Sequence, residues 1–189
     1  MRRIITVVAL CAVALATATN VPAAPKQQQT FAQQLRIVHD ATAKYVDGIG
    51  RAKADGYVIL TKMIPDMGYH FINPKVTGFD LAKPPILVYE HSGSTWRLGA
   101  LEWVFPKKPA TPPVAGAKYG SFPAACQYRD GTFVPASSQA QCAMTAPGSG
   151  AAFSFWHGPL VTMHIWAWYP NPFGVFSGVN PLARPYNRG

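Results

Sequence analysis

Between Phe153 and Phe176 the chain reads FSFWHGPLVTMHIWAWYPNPFGVF, with no charged residue, two of the five histidines and three of the five tryptophans. That stretch restricts the fold more than any other. Val161 to Trp168 predicts a β-strand, with Thr162, His164, Trp166 and Trp168 on one face and Val161, Met163, Ile165 and Ala167 on the other. Both faces are largely apolar, so the strand is covered on both sides. Tyr169-Pro170-Asn171-Pro172 then stops it, because proline cannot donate to a ladder and Asn-Pro favours a turn. His164 is thereby placed mid-strand among tryptophans, where an imidazole needs a partner.

The first residues, MRRIITVVALCAVALATATNVPAAP, have the parts of a secretory signal peptide: a basic start at Arg2 and Arg3, an apolar run from Ile4 to Leu15, then small residues. Cleavage after Ala18 or Ala23 suits the small-residue rule, and the alternative is an uncleaved anchor. Cys11 follows Leu10, a poor match to a lipoprotein signal. With residues 1–23 removed, roughly 165 residues remain, the size of one domain with a real core. No later apolar run is long enough for a transmembrane span. The formal charge is +9, but the basic residues are scattered. A nucleic-acid surface needs a stripe or patch, so no nucleic-acid partner is expected. Cys126 and Cys142 are the remaining cysteines, an even number in an exported chain, and predict a disulfide.

From Gln27 to Gly56 the pattern is helical. Phe31, Leu35, Val38, Ala41 and Tyr45 form an apolar stripe, Thr30 caps the start, and Gly48 and Gly50 break the segment into two helices. His39 falls on the flank of the stripe and is read as a solvated surface histidine. Tyr57 to Leu60 is a short strand or helix end. Pro65 to Pro74 is a tight unit in which His70 lies between Tyr69 and Phe71. The clearest hairpin is Pro85 to Pro106, with its turn at Ser92-Gly93-Ser94. On the return arm Leu98, Ala100, Glu102 and Val104 share a face, leaving Glu102 as a carboxylate among apolar neighbours. Glu90 and His91, near the turn, are read as solvated. Lys107 to Gly150 is a Pro/Gly-rich insertion that needs the disulfide as a tie, with a small turn at Asp130-Gly131.

Four side chains stand out as metal donors: His70, Glu102, His157 and His164. Imidazole and carboxylate together suit a single transition-metal ion, whether zinc, copper, iron, manganese or nickel. Residues seven apart on one strand face opposite ways, so His157 and His164 can both serve only if Gly158-Pro159 turns the chain. The plain alternative is that each is a buried polar group satisfied by hydrogen bonds. Tyr69, Trp156, Trp166 and Trp168 are candidates for an aromatic pocket that would hold a small-molecule ligand. There is no nucleophile elbow, no phosphate-binding glycine loop and no close carboxylate pair. A Glu102–His164 dyad could act as a general base without metal.

GYHFINP (Gly68–Pro74), LGALEWVFP (Leu98–Pro106), QYRDGTFVPA (Gln127–Ala136) and FWHGPLVTMHIWAWYPNPFGVFSGVNPL (Phe155–Leu182) resemble a family of small exported bacterial proteins to which no activity is attached. The resemblance implies export and a single domain and supplies no reaction. The histidine spacing does not match the two-box metal motif of cupins, which needs a close His-x-His pair.

The expected protein is thus a single α+β domain over residues 24–189. Its N-terminal helical segment packs on an antiparallel sheet or partly closed barrel. It is secreted or held in the periplasm or cell envelope. A metal site of His70, Glu102, His157 and His164 is the first functional expectation. A metal-free pocket for an apolar molecule is the second, and a structural envelope protein the third.

Overall fold

The structure, a computed structural model, describes residues 29–184. The leader with its cleavage sites and Cys11 lies outside the described residues, as does the tail beyond Arg184.

Helix α1 (Phe31–Thr42) starts at a capping box, in which the Thr30 side chain accepts from the Gln33 amide and Gln33 reaches back to Thr30. It tightens into a single 3-10 turn at Ala43–Tyr45, and the chain re-enters helix at α2 (Gly50–Ala54). The break falls at Gly48, whose φ of +98° suits glycine. The buried stripe of α1 is Gln34, Val38 and Thr42, followed by Tyr45. Phe31, Leu35 and Ala41 lie at its half-buried margin. Gln34 can sit inward because its amide is satisfied at both ends, donating to the Pro113 carbonyl and accepting from the Ala115 N–H.

Among the described residues nine strands follow: β1 (Val58–Ile64), β2 (Gly68–Ile72), β3 (Ile86–Ser92), β4 (Thr95–Phe105), β5 (Gly120–Phe122), β6 (Ala125–Tyr128), β7 (Phe133–Pro135), β8 (Phe153–His157) and β9 (Leu160–Ile165). Six form a curled half-barrel in the order β1-β2-β3-β4-β9-β5, and three form a second sheet in the order β7-β6-β8. All pairings are antiparallel. The chain is mostly β, and the α+β expectation holds in that coarse sense of helix packed on antiparallel sheet.

One face of the large sheet packs Leu87, Tyr89, Leu101, Trp103, Met163 and Ile165 against Val38, Tyr45, Ile49 and Ala52 of the helical segment. The other face carries Ile86, Val88, Ala100, Val104 and Trp166. Strand β4 changes parity between them. Val88 pairs with Ala100 and Tyr89 with Leu98, so Gly99 is an extra residue on β4. Leu98 therefore joins the helix-side core and does not share a face with Ala100, Glu102 and Val104 as strict alternation predicts. Gly68 is required for a different reason: a Cβ there would lie 2.5 Å from the Tyr89 carbonyl oxygen, and its φ is +113°.

The Lys107–Gly150 segment contributes β5, β6 and β7 and is tied by the Cys126–Cys142 disulfide, sixteen residues apart in sequence. Closing a loop of that length contributes about 3 kcal/mol in the loop-entropy account. Its Asp130-Gly131 turn lies on β1, where the Gly131 carbonyl accepts from the Lys62 N–H and Asp130 pairs with the Lys62 ammonium. At the C-terminal end, Asn180 N–H donates to the Asp66 carbonyl and Arg184 forms a two-pronged ion pair with the Asp66 carboxylate. Among the described residues no helix is long and apolar enough to cross a membrane.

Candidate metal centre

Three strands of the half-barrel each bring one donor to its concave face. Glu102 on β4 lies directly across from His164 on β9. His70 on β2 pairs with Val88 on β3, so strand β3 separates it from Glu102. Two strand spacings of about 4.8 Å would hold flat-sheet neighbours about 10 Å apart at the backbone. On the concave side of a curled sheet, the side chains converge over β3. His70 Nε2 is 3.6 Å from one Glu102 oxygen and His164 Nε2 is 3.7 Å from the other. One donor atom from each residue lies within 4.8 Å of the other two, and all three residues are buried.

Those separations are too long for hydrogen bonds. The two His–Glu102 separations lie at the upper edge of donor spacing around a common ion, since bonds of about 2.0–2.2 Å in tetrahedral geometry put ligand atoms about 3.3–3.6 Å apart. His164 Nε2 has no hydrogen-bond partner although it is buried. His70 Nδ1 is 2.9 Å from the Thr61 hydroxyl oxygen. If that nitrogen gives its proton to Thr61, Nε2 keeps its lone pair for the site, the arrangement by which a neighbour orients a metal-binding imidazole.

Burial sets the protonation of the trio. It pushes the Glu102 carboxyl up to about 8 and the imidazole of His164 down to about 4. His70 is driven down to about 3, by burial first and by its neighbour His164 second. At neutral pH both imidazoles are therefore uncharged and ready to donate lone pairs, while Glu102 holds a proton that a cation would displace.

A cavity of about 280 Å³ adjoins the trio, between the concave face and the small sheet. Leu60, Ile64, Ile72, Ile86, Val104 and Leu160 supply most of its apolar wall, and Gln127, Phe155 and His157 come from the small sheet. Cys126 faces the disulfide-side cluster with Tyr128 and Trp156, so alternation turns Gln127, between Cys126 and Tyr128, towards the cavity.

The structure brings together three of the four expected donors and leaves His157 apart. His157 lines the cavity, but its Nδ1 lies 2.8 Å from the Gly158 carbonyl and its Nε2 3.0 Å from the Gln127 amide nitrogen. The carbonyl can only accept, so Nδ1 carries the proton and Nε2 accepts from Gln127. Both ring nitrogens are thus engaged. Gly158-Pro159 does turn the chain, but it carries it from one sheet to the other.

None of the expected pocket aromatics, Tyr69, Trp156, Trp166 and Trp168, lines this cavity. Tyr69 packs edge-on to Trp96. Trp156 donates to the Ala136 carbonyl in the disulfide cluster. Trp166 donates to the Ser177 carbonyl. Trp168 leaves the His164 face altogether: strand β9 ends at Ile165, the Ala167 N–H folds back on the Ile165 carbonyl, and Trp168 then stacks on His39 and donates to the Thr42 hydroxyl. His39 is accordingly half-buried against an indole and is not a solvated histidine.

Three polar residues escape the sequence reading. Thr61 belongs to a strand that runs on from Val58 to Ile64, past the expected end at Leu60. Gln127 was legible in principle, since the disulfide fixes the facing of Cys126. Glu90, expected in solvent, is 3% exposed, because it continues the inward face of Ile86 and Val88. Its burial raises the carboxyl to about 7, with Arg97 pulling the other way.

No family model, curated protein sequence or solved structure matches the chain. The centre is therefore read from its own chemistry.

Proposed function

We propose that this is an extracytoplasmic protein that binds one transition-metal ion through His70, Glu102 and His164. The observation that carries the reading is the convergence of two imidazoles and one carboxylate from three strands at 3.6–3.7 Å, with His164 Nε2 unpartnered. Two imidazoles and a carboxylate suit zinc in a three-donor site and suit non-haem iron equally. Either ion would keep at least one coordination position for a ligand from outside the chain. The leader-like first residues and the Cys126–Cys142 disulfide support a place outside the cytoplasm.

The apolar wall of the cavity favours a second reading, in which the histidines serve as hydrogen-bonding groups around an apolar molecule and no ion takes part. Elemental analysis of protein purified without a His-tag separates the two. About one transition-metal ion per chain is expected, falling to background in His164→Ala while the circular dichroism spectrum is kept. Metal-free protein whose melting temperature ignores added zinc would overturn the proposal.

A further inference from the structure

Resting on the metal reading, we infer that the adjoining cavity takes a compact hydroxylated apolar molecule, of the phenol or short-alcohol class, whose oxygen completes the ion's coordination. The size comes first. About 280 Å³ is just under the low end of the ~300–1,000 Å³ usual for drug-sized ligands, so a single ring or short branched chain is the scale.

Charge comes second. Among the described residues no lysine or arginine lines the cavity, so apart from the ion itself nothing there is built to hold a charged group. A neutral body against Ile64, Ile86, Val104 and Leu160 is favoured by the hydrophobic effect.

The polar requirement comes third, from an atom outside the trio. Gln127 is 2% exposed and lines the cavity, its amide nitrogen is occupied by His157, and its carbonyl oxygen Oε1 is buried without a partner. An acceptor of that kind is costly until it meets a donor. A hydroxyl supplies both functions the cavity asks for: a lone pair for the ion and a proton for Gln127. Phe122 and Phe155, each within about 6 Å of the His157 ring, give an aromatic ligand edges to pack against.

Calorimetric titration of the full mature protein, with and without one equivalent of zinc, tests this using p-cresol as probe and toluene as its hydroxyl-free control. Zinc-loaded protein is expected to bind p-cresol at least about tenfold more tightly than toluene, the scale of one buried hydrogen bond. Gln127→Leu should lower that preference up to about tenfold, the share of one hydrogen bond, while zinc stoichiometry stays at one. Ile64→Trp, which fills the cavity, should abolish binding of both probes and spare the zinc. If zinc binds and p-cresol shows no preference over toluene, the ligand inference falls and the metal reading stands. Equal p-cresol binding without zinc also overturns the inference, because the hydroxyl then does not reach the ion. Failure of zinc itself to bind sinks the metal reading and the inference with it.

Discussion

The helix-side and concave faces of the large sheet are made from alternate residues of the same strands, yet they differ in where their unpaired polar atoms gather. On the helix side the Tyr57 hydroxyl donates to the Pro84 carbonyl, the Tyr89 hydroxyl to the Tyr45 carbonyl and the Trp103 indole to the Asp80 carbonyl. On the concave side and its cover, His164 Nε2, Gln127 Oε1 and Glu90 Oε1 are buried without partners. Unpaired atoms occur on the helix side too, at His39 Nε2 and Tyr119 Oη, and each costs about 1–3 kcal/mol. The contrast lies in clustering: on the concave side His164 Nε2 and Gln127 Oε1 line one cavity together.

Paired substitutions give the sharpest way to break that contrast. Leu87→Ala on the helix side should cost about 2–5 kcal/mol in denaturant unfolding and leave metal stoichiometry at one per chain. Glu102→Leu should do the reverse, removing the metal with little loss of metal-free stability, since a well-packed apolar group can replace a buried polar one without penalty. Equal effects of the two on metal content would erase the distinction between the faces.

Acidity gives the next largest effect. Because an ion must displace the Glu102 proton, affinity should rise about tenfold per pH unit up to about pH 8. The imidazoles, already neutral well below their usual 6.5, add no step near that value, unlike solvent-exposed histidines. Stability of the metal-free form follows from the same shifts. Between pH 4.5 and 8 the unfolded chain has released the Glu102 proton and the folded one keeps it, so this residue lowers stability as pH rises. Below 6.5 the unfolded chain protonates both histidines while the fold holds them neutral, so they lower stability as pH falls. Glu90, its carboxyl raised to about 7, acts in the same direction as Glu102, so two carboxyls offset two histidines: chemical denaturation should give a level stability from about pH 4.5 to 6.5 and a fall above it. In the His70→Ala/His164→Ala double variant the fall should begin near pH 4.5, and a profile unchanged from the parent would contradict the protonation states assigned to the trio.

Thr61→Val removes the partner of His70 Nδ1 and should weaken metal affinity about 10- to 100-fold, the usual effect of losing an orienting neighbour. Tyr89→Phe, its counterpart on the helix side, loses one satisfied hydrogen bond. It should cost about 1 kcal/mol of stability with metal affinity unchanged by competition titration.

The sequence made the strands of the Pro85–Pro106 hairpin legible through alternation and turn residues, and the disulfide through cysteine number. It also singled out Glu102, His70 and His164, because each interrupts an apolar strand. What it could not show was curvature: alternation assigns a face but not the concavity that lets His70 reach Glu102 across β3. The tryptophans misled for a related reason. Their indole N–H groups are satisfied by nearby loop carbonyls or a helix hydroxyl, partners that no periodicity reveals, so they pack as core. Glu90 was misjudged from its closeness to the turn, although it keeps step with Ile86 and Val88.

The extra residue at Gly99 has a consequence for how such a chain can change over time. Upstream of it β4 sends Leu98 to one side, and downstream it sends Ala100 and Glu102 to the other. The strand is thus read in two frames, and its residue count matters as much as its residue types. Exchange of one side chain for another within β4 is a local event. Loss or gain of a single position there would reverse which side half the strand addresses, so tolerance to substitution and intolerance to length change should coexist in the same eleven residues.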